Sequence, residues 1–377
     1  MKTSTLLTRP IKVVQLVDSL DLGGTERMSV NIANSLPNFG YESHLLVTRR
    51  LGGLASFVQE KANLKAFNKK SKFDFLAFFR LLLHLRKISP TIFHVHQTSI
   101  FWAILLKWFL PQTKLIWHDH FGQSEMLKIY SRKEMNWMMP YIDAVITVND
   151  RIKDYWKERF PSRANSIYYL ANFPEFIEIE RNPSQEGILY IINIANIRKQ
   201  KDQLTLLDAL GLIKQKGYKF KVDLIGEFVE HEWLELVKNR IIDLRLDKEV
   251  QILGPVNHLI PYLETAHIGI LSSESEGLPV ALLEYGMAAL PTIVTQVGQC
   301  DEVLGYGKYG WVVPPKSAIQ LASAIEEVIL DPFKAEFIGR EFKAHIQKNY
   351  GPRNFMCEYQ GIISHLESVR GSKFKAV

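Results

Sequence analysis

The chain has 377 residues, of which 47% are hydrophobic and 23% are charged. This composition indicates a globular protein, and the length suits two domains better than one hydrophobic core. Two distant cysteines, Cys300 and Cys357, give neither a disulfide framework nor a metal-ligand spacing, so we expect a reducing, cytoplasmic compartment. Residues 1–10 contain no apolar stretch of signal-peptide length. Because no run of about 18 apolar residues appears, we expect no membrane-spanning helix.

Charge is distributed unevenly along the chain. Residues 1–172 contain 24 Lys and Arg against 13 Asp and Glu, a balance of +11, and residues 173–377 contain 22 against 27, a balance of −5. The two balances add to the net charge of +6. A basic half suits nucleic acid or an anionic membrane. Since we find no nucleic-acid-binding module, we expect no nucleic acid partner and predict peripheral contact with an anionic membrane, such as the inner face of the plasma membrane.

The first predicted unit opens with a buried strand over residues 11–17, a loop that contains Gly23 and Gly24, and an amphipathic helix. This order is typical of a nucleotide-binding unit, because glycine lets the backbone approach a phosphate. Two adjacent glycines also fit a plain turn. Further strands are predicted at residues 44–48, 92–96, 114–117, 143–148 and 166–170.

Two strongly apolar helices are predicted between these strands, at residues 73–88 and 99–110. Both carry cations, among them Arg80, Arg86 and Lys107. Burial against the sheet explains the apolar residues, and a face that rests on lipid headgroups explains the mixture of aromatic and basic residues.

Four histidines lie at the carboxyl ends of two predicted strands. His94 and His96 end the strand at 92–96, and His118 and His120 follow the strand at 114–117. Ligands gather at the carboxyl ends of strands in open α/β sheets. The four histidines are therefore candidates for a binding site or, as an alternative, for a metal centre.

A second unit repeats the pattern after a polar, proline-containing segment at 174–186, which predicts an interdomain linker. A strand at 188–194 leads to a loop with Arg198 and Lys201 and then to a helix at 204–213. These cations are either solvated or neutralise a diphosphate. Later strands are predicted at 219–225, 250–256, 267–271, 292–295 and 311–315, and helices at 319–330, 332–349 and 355–369.

The segment from Leu271 to Glu284 is the centre of the second unit. A strand ends at Leu271, a loop carries Glu276, and Pro279 is predicted to open a helix, where its missing N–H costs nothing. The free amides of that helix start attract phosphate and sugar oxygens. Glu284 lies among apolar residues, so its carboxylate needs partners such as sugar hydroxyls. A capped helix with one exposed glutamate is the alternative.

The string Glu276-Gly277-Leu278-Pro279, with Glu284 and with Gly-Met-Ala-Ala-Leu-Pro-Thr-Ile-Val-Thr at 286–295, resembles the retaining glycosyltransferases of family 4, within the group 1 glycosyltransferases. Gly-Gly-Thr-Glu-Arg at 23–27 resembles the same family. The resemblance implies an α/β fold of the GT-B class, with two Rossmann-like doubly wound domains facing across a cleft. It places an acceptor-side domain at 1–173, completed by a C-terminal helix at 353–377, and a nucleotide-sugar-binding domain at 187–352.

The resemblance also implies roles for individual residues. Glu284 holds the ribose, Glu276 orients the donor sugar, and Lys201 offsets the charge of the departing diphosphate. The implied catalytic residues are Glu276, His120 and Lys201, and the implied donor-binding residues are Gly23, Gly24, Arg198, Lys201, Gly277, Leu278, Pro279 and Glu284.

Two of these assignments have alternatives. The family has an arginine where this chain has Asn196, and Arg198, two residues later, is the other candidate for that charge. The family histidine near the reacting sugar fits His120 best by register, with His118 as the alternative.

The implied activity is that of a retaining hexosyltransferase-type enzyme. It moves a sugar from a nucleotide-sugar donor to a hydroxyl of a sugar or lipid-linked acceptor, in the synthesis of cell-surface polysaccharide or glycolipid. We expect no cofactor and no metal. Retention would come from Glu276 as nucleophile or, as the resemblance favours, from same-face attack. Alternatives are a nucleotide-sugar epimerase of GT-B fold and a non-catalytic nucleotide-sugar-binding subunit.

Overall fold

The computed structural model describes residues 10–21, 23–121, 127, 132–174, 179–183, 187–256 and 258–373. The predicted linker at 174–186 and the last four residues of the predicted C-terminal helix lie partly or wholly outside the described residues. Within the described part of the chain no helix combines the length and hydropathy needed to cross a bilayer.

The first half of the chain forms a seven-stranded sheet in the order β3-β2-β1-β4-β5-β6-β7, with every neighbouring pair parallel. Its strands are β1 (Lys12–Val17), β2 (Glu42–Val47), β3 (Leu64–Ala66), β4 (Ile92–His96), β5 (Lys114–Asp119), β6 (Ala144–Thr147) and β7 (Ile167–Tyr169). Its helices are α1 (Gly24–Ser35), α2 (Phe75–Ile88), α3 (Ile100–Phe109), α4 (Met135–Met138) and α5 (Asp150–Arg159).

The second half forms a six-stranded parallel sheet in the order β10-β9-β8-β11-β12-β13. Its strands are β8 (Leu189–Ile194), β9 (Phe220–Ile225), β10 (Val250–Gly254), β11 (Ile268–Leu271), β12 (Thr292–Thr295) and β13 (Trp311–Val313). The helices of this half and the C-terminus are α6 (Gln203–Gln215), α7 (His231–Asp243), α8 (Ile260–Thr265), α9 (Val280–Met287), α10 (Cys300–Val303), α11 (Ala318–Leu330), α12 (Pro332–Asn349) and α13 (Pro352–Lys373).

Both sheets have the doubly wound arrangement. The strands are apolar because helices cover a parallel sheet on both faces, as in β4, where all five residues are buried. The strand order changes direction between β1 and β4 and between β8 and β11, and the crevice at such a point is where open α/β sheets bind ligands. The predicted fold of two Rossmann-like sheets is confirmed.

The last helix, α13, packs on the first sheet although it follows the second one in the chain. Phe355, Met356 and Tyr359 of α13 are buried in one apolar cluster with Val13 of β1 and Ile116 of β5. The C-terminal helix therefore supplies part of the core of the N-terminal half.

Three local predictions differ from the structure. The short edge strand β3 was not predicted, since three residues show no periodicity. Strand β5 continues through His118 and Asp119, because both residues pair with the neighbouring strand β6. Helix α9 begins at Val280, and Pro279 is its N-cap with extended backbone (φ −71°, ψ 126°).

Candidate active site

A cleft separates the two sheets, and the carboxyl ends of both face it. Its cavity has a volume of about 620 Å³. The lining residues come from both halves of the chain, from the loops after β1, β4, β5, β6 and β7 and from those after β8, β9, β10 and β11. The cleft is therefore the place where residues distant in sequence meet a common ligand.

Lys201 and Glu276 form an ion pair in the wall of the cleft. Lys201 Nζ lies 2.5 Å from Glu276 Oε1, and Ser273 Oγ donates a hydrogen bond of 2.7 Å to the same oxygen. Glu276 is only 4% exposed, so its carboxylate needs these donors. The pair brings together the two residues predicted to serve the donor sugar and the diphosphate.

The loop that carries Glu276 is fastened to the turn that carries Lys201. Ser272 Oγ donates to the carbonyl of Lys201 at 3.1 Å, and Gln200 Nε2 donates to the carbonyl of Ser275 at 2.7 Å. Gly298 packs directly on the carbonyl of Glu276, where an added Cβ would lie 2.3 Å from that oxygen. The loop is thus held from both sides before any ligand binds.

The start of α9 lies at the cleft, and the first N–H groups of a helix have no partner within it. Gly277, Leu278 and Pro279 line the cavity there. Asn172, from the end of the first sheet, donates from Nδ2 to the carbonyl of Leu278 at 3.0 Å. The N-terminal half therefore contacts the predicted phosphate-binding loop directly.

Glu284 does not lie alone on α9. Arg27 of α1 approaches it across the cleft, with Arg27 Nε 3.6 Å from Glu284 Oε1, and the two side chains are only 11% and 13% exposed. The Arg27 guanidinium also lies over the Phe57 ring, 5.2 Å from its centre. The carboxylate predicted to hold ribose thus has a cationic partner in the opposite half.

The glycines of the first loop line the cleft, as predicted for residues close to phosphate. Gly23 is the extended N-cap of α1, and an added Cβ there would lie 2.3 Å from the Glu26 carboxylate. Gly24 begins the helix with open space around it. Burial raises the pKa of Glu26 to about 7, and repulsion from Asp21 and Glu227 adds to the rise.

Arg198 and Asn196 both line the cleft, but their side chains are used differently. Asn196 Oδ1 accepts a hydrogen bond from the backbone N–H of Glu227 at 3.1 Å, so it joins two loops. The Nε of Arg198 is buried without a hydrogen-bond partner among the described residues. Arg198 is therefore the better placed of the two to receive an anionic ligand.

Four histidines stack on one face of the first sheet at the edge of the cleft. His94 and His118 form one hydrogen-bonded pair (Nε2 to Nδ1, 3.2 Å), and His96 and His120 form another (Nδ1 to Nε2, 3.0 Å). The pairs lie on each other, with ring centres 4.6 Å apart for His94 and His96 and 3.9 Å apart for His118 and His120. Burial lowers the pKa of all four rings, so they are neutral near pH 7.

This arrangement fits a metal ion poorly. One nitrogen from each of His94, His96 and His118 lies within 4.8 Å of the others. However, the rings of His94 and His96 stack with an interplanar angle of 22° and their centres 4.6 Å apart, so an ion in the plane of one ring would lie out of the plane of the other. His120, the predicted residue, lines the cleft, whereas His118, the alternative, is fully buried.

Sequence reasoning did not find several residues that shape the site. Arg27 and Glu26 belong to the Gly-Gly-Thr-Glu-Arg string but were not singled out. Gln15 was not named, and His96 was predicted only as one of four histidines, without its contact with Gln15 of the neighbouring strand. The alternation of side chains along β4 and β5 could have indicated that the four histidines lie together, because residues two apart on a strand share a face.

Two family models match the chain. The model described as Glycosyltransferase Family 4 matches residues 22–173, and the model described as Glycosyl transferases group 1 matches residues 175–348. Together they span both halves of the fold.

Several of the similar proteins are bacterial glycosyltransferases. An uncharacterized glycosyltransferase of Haemophilus influenzae is 22% identical over 90% of this chain and 96% of its own length. The amylovoran biosynthesis glycosyltransferase AmsD of Erwinia amylovora is 22% identical over 94% and 99%. The capsular polysaccharide biosynthesis glycosyltransferase CapH of Staphylococcus aureus is 23% identical over 79% and 85%.

Solved structures share the fold. HepE of Anabaena, in complex with UDP-glucose, superposes with a TM-score of 0.79 at 16% identity and covers 95% of this chain and 100% of its own. The two sheets and these structural neighbours show the GT-B fold, and each of the two glycosyltransferase family models matches one half of the chain.

Proposed function

We propose that this two-domain glycosyltransferase moves a sugar from a nucleotide-sugar donor to a hydroxyl acceptor with retention at the anomeric carbon, in polysaccharide synthesis. The observation that carries the proposal is the Lys201–Glu276 pair beside the start of α9, inside a cleft closed by two doubly wound sheets. The names of AmsD and CapH support a polysaccharide product, and the UDP-glucose bound by HepE supports a nucleotide-sugar donor.

The donor is proposed to lie on the C-terminal side of the cleft. Its diphosphate contacts Lys201, Arg198 and the amides at the start of α9, because these are the positively charged side chains and N–H groups that line the C-terminal side of the cleft. Glu284 then receives the ribose hydroxyls, and Glu276 orients the sugar. This arrangement stabilises the charge that grows on the departing diphosphate, which is usually the largest single catalytic contribution.

In the reaction the bond between the anomeric carbon and the diphosphate oxygen breaks, and a bond to the acceptor oxygen forms on the same face. The acceptor proton passes to the departing diphosphate. Glu276 Oε1 already accepts from both Lys201 and Ser273, which reduces its strength as a nucleophile. This contact pattern supports same-face attack over a covalent intermediate on Glu276.

The test is incubation with a panel of nucleotide sugars and sugar acceptors, followed by NMR of the product. An anomeric configuration equal to that of the donor is expected, and inversion would contradict the proposal. Incubation of the donor alone distinguishes a nucleotide-sugar epimerase from a transferase, since an epimerase would form the epimer of the donor without an acceptor. Tight nucleotide binding without any turnover would favour the non-catalytic subunit.

The proposal includes an acceptor carried on a lipid. Large apolar side chains in α2, in α3 and just before α2 are exposed to solvent, among them Phe73 and Leu76, each 79% exposed. Exposed cations, Lys72, Arg86 and Lys87, lie within or beside α2. Apolar and basic groups together suit an anionic lipid surface, where each Lys or Arg adds about 1 kcal/mol. The cytoplasmic leaflet of the plasma membrane is an anionic lipid surface, so we propose that the protein binds there.

Sedimentation with vesicles tests the membrane contact. The protein should bind phosphatidylserine-containing vesicles at low salt and dissociate as salt rises, because the attraction is screened. The double variant Phe75→Ser/Leu76→Ser should lose binding. A matched control is Phe333→Ser/Phe337→Ser, which removes two large apolar side chains that are also well exposed but lie on α12. Equal loss in both variants, or none in either, would contradict the assignment of this surface.

A further inference from the structure

We propose that Gln15 and His96 are positioning residues that fix the tautomer of His120, so that the ring nitrogen His120 offers to a ligand is a hydrogen-bond acceptor. The inference rests on the proposed function, in which His120 meets the donor sugar. Its consequence is selectivity for a donor sugar that presents a hydroxyl or an amide N–H at this point, against one that presents a carboxylate.

The chain of hydrogen bonds begins at Gln15 of β1. Gln15 Nε2 donates to the carbonyl of Ser29 at 3.2 Å, which fixes the orientation of the amide and leaves Gln15 Oε1 facing His96. An amide oxygen can only accept. His96 Nε2, 2.9 Å away, must therefore carry the proton.

The same reasoning passes from His96 to His120. A neutral imidazole carries one proton, so His96 Nδ1 holds a lone pair and can only accept. His120 Nε2 lies 3.0 Å from His96 Nδ1 and must donate to it. His120 lines the cleft, and with Nε2 used in this way Nδ1 is the nitrogen left for a ligand, as an acceptor.

Neutral rings are required, and burial provides them. Burial lowers the pKa of His96 to about 3, and burial together with the nearby His96 holds the pKa of His120 well below its usual range. The second pair keeps the rings in place: His94 stacks on His96, and His118 packs against His120 at a tilt of 32°. Tyr359 of α13 hydrogen-bonds His94 Nδ1 at 3.0 Å and so anchors this lower layer.

The chemical consequence concerns the donor. A lone pair at His120 Nδ1 accepts from a sugar hydroxyl or an N–H group. A carboxylate has no proton to donate, so the two acceptors would repel each other inside a desolvated cleft. We therefore expect neutral sugar nucleotides to be used in preference to nucleotide uronic acids.

The first measurement is the ring 15N spectrum of the wild-type protein, with His120 assigned by comparison with His120→Gln. The expected pattern is a protonated Nε2 and an unprotonated Nδ1. Gln15→Met, which keeps the shape and removes the acceptor, should shift His120 toward the Nδ1–H form. A wild-type His120 protonated on Nδ1 would overturn the inference. This result does not depend on turnover, so it separates the relay from the proposed function.

Kinetics supply the second measurement, with two variants of nearly equal shape. His96→Leu leaves His120 without an acceptor, whereas the oxygen of His96→Asn can replace Nδ1. His96→Leu should lower kcat/KM for a neutral donor roughly tenfold, the value of one hydrogen bond of about 1.4 kcal/mol. It should also lower the ratio of kcat/KM for a neutral donor to kcat/KM for a nucleotide uronic acid. His96→Asn should restore both. Equal behaviour of the two variants would contradict the relay, whereas normal turnover by His120→Gln would contradict the proposed contact of His120 with the sugar.

Discussion

The two sheets follow the same strand order, yet their carboxyl ends offer different chemistry to the cleft. On the C-terminal side the wall is made of charged groups and helix amides, with Lys201 paired to Glu276. On the N-terminal side it is made of neutral, stacked histidines with depressed pKa values. Strand order decides where the loops meet, and the residues in those loops decide what each side can do.

The difference has a simple physical basis. The charged wall suits a charged ligand, and its ions have partners within the protein, such as Ser273 for the Glu276 carboxylate. On the histidine wall, His94 contacts Tyr359 of α13, and His94, His96 and His118 are buried, so an imidazolium among them would lack compensation. One wall is thus suited to diphosphate, and the other to uncharged hydroxyl groups.

The largest expected effect comes from removing charge on the C-terminal wall. Lys201→Met should lower kcat about 10²–10³-fold, because a positioned charge that meets the transition state contributes on this scale. KM should change less. Lys199→Met is the matched control, since Lys199 is exposed on the same turn. Steady-state kinetics that show only a raised KM would reassign Lys201 to ground-state binding.

The histidine wall, formed by His94, His96, His118 and His120, should lose stability at acidic pH. The four rings have folded-state pKa values below the unfolded value of about 6.5, so the unfolded chain binds more protons between the two values. Stability is then complete above about pH 6.5 and falls as the pH decreases toward the folded-state values, by up to about 1.4 kcal/mol per pH unit for each ring.

Hydrogen exchange, pulse-labelled at one common pH after incubation at pH 7.5 or 5.0, measures this fall. We expect β4 and β5 to lose protection before β8 and β11. If all four strands lost protection together, the prediction that acid destabilises the histidine side of the cleft first would be wrong.

A smaller effect is expected at the ion pair between the walls. Glu284→Gln should weaken binding of a nucleoside diphosphate by roughly tenfold or more, because a hydrogen bond to a charged group is worth about 1.5–3 kcal/mol. Arg27→Met is the comparison, because it removes the partner and keeps the carboxylate. Calorimetry should show a larger loss for Glu284→Gln. Unchanged affinity in Glu284→Gln would exclude the ribose role.

The smallest expected effect is that of a chelator. We propose that catalysis uses Lys201 and helix amides in place of a divalent cation, so activity should be unchanged in EDTA. Loss of activity that Mg²⁺ or Mn²⁺ restores would show that catalysis requires a divalent cation in addition to Lys201 and the helix amides.

The sequence predicted best what is local. The segment from Leu271 to Glu284 contains its strand, loop and helix in one stretch, so its pattern could be read directly. The start of α9 was misplaced by one residue because Pro279 suits both the cap and the first turn. The two parallel sheets followed from the apolar runs and glycine loops in the same way.

The contacts that join distant residues could not be predicted. Arg27 meets Glu284 only when two domains face each other, and Gln15 meets His96 only after β1 and β4 pair. Neither contact leaves a spacing in the sequence. The histidines were noticed as a group, but their stacking, which disfavours a metal, depends on ring orientations that residue types do not specify.

The position of α13 has a consequence for biosynthesis. Residues of the first sheet leave the ribosome first, yet Phe355, Met356 and Tyr359 of their core are made last. The second domain can complete its own core earlier, since β8 to β13 and their helices precede α13. The N-terminal half is therefore begun first and finished last, and until translation passes Tyr359 the histidine wall has no cover.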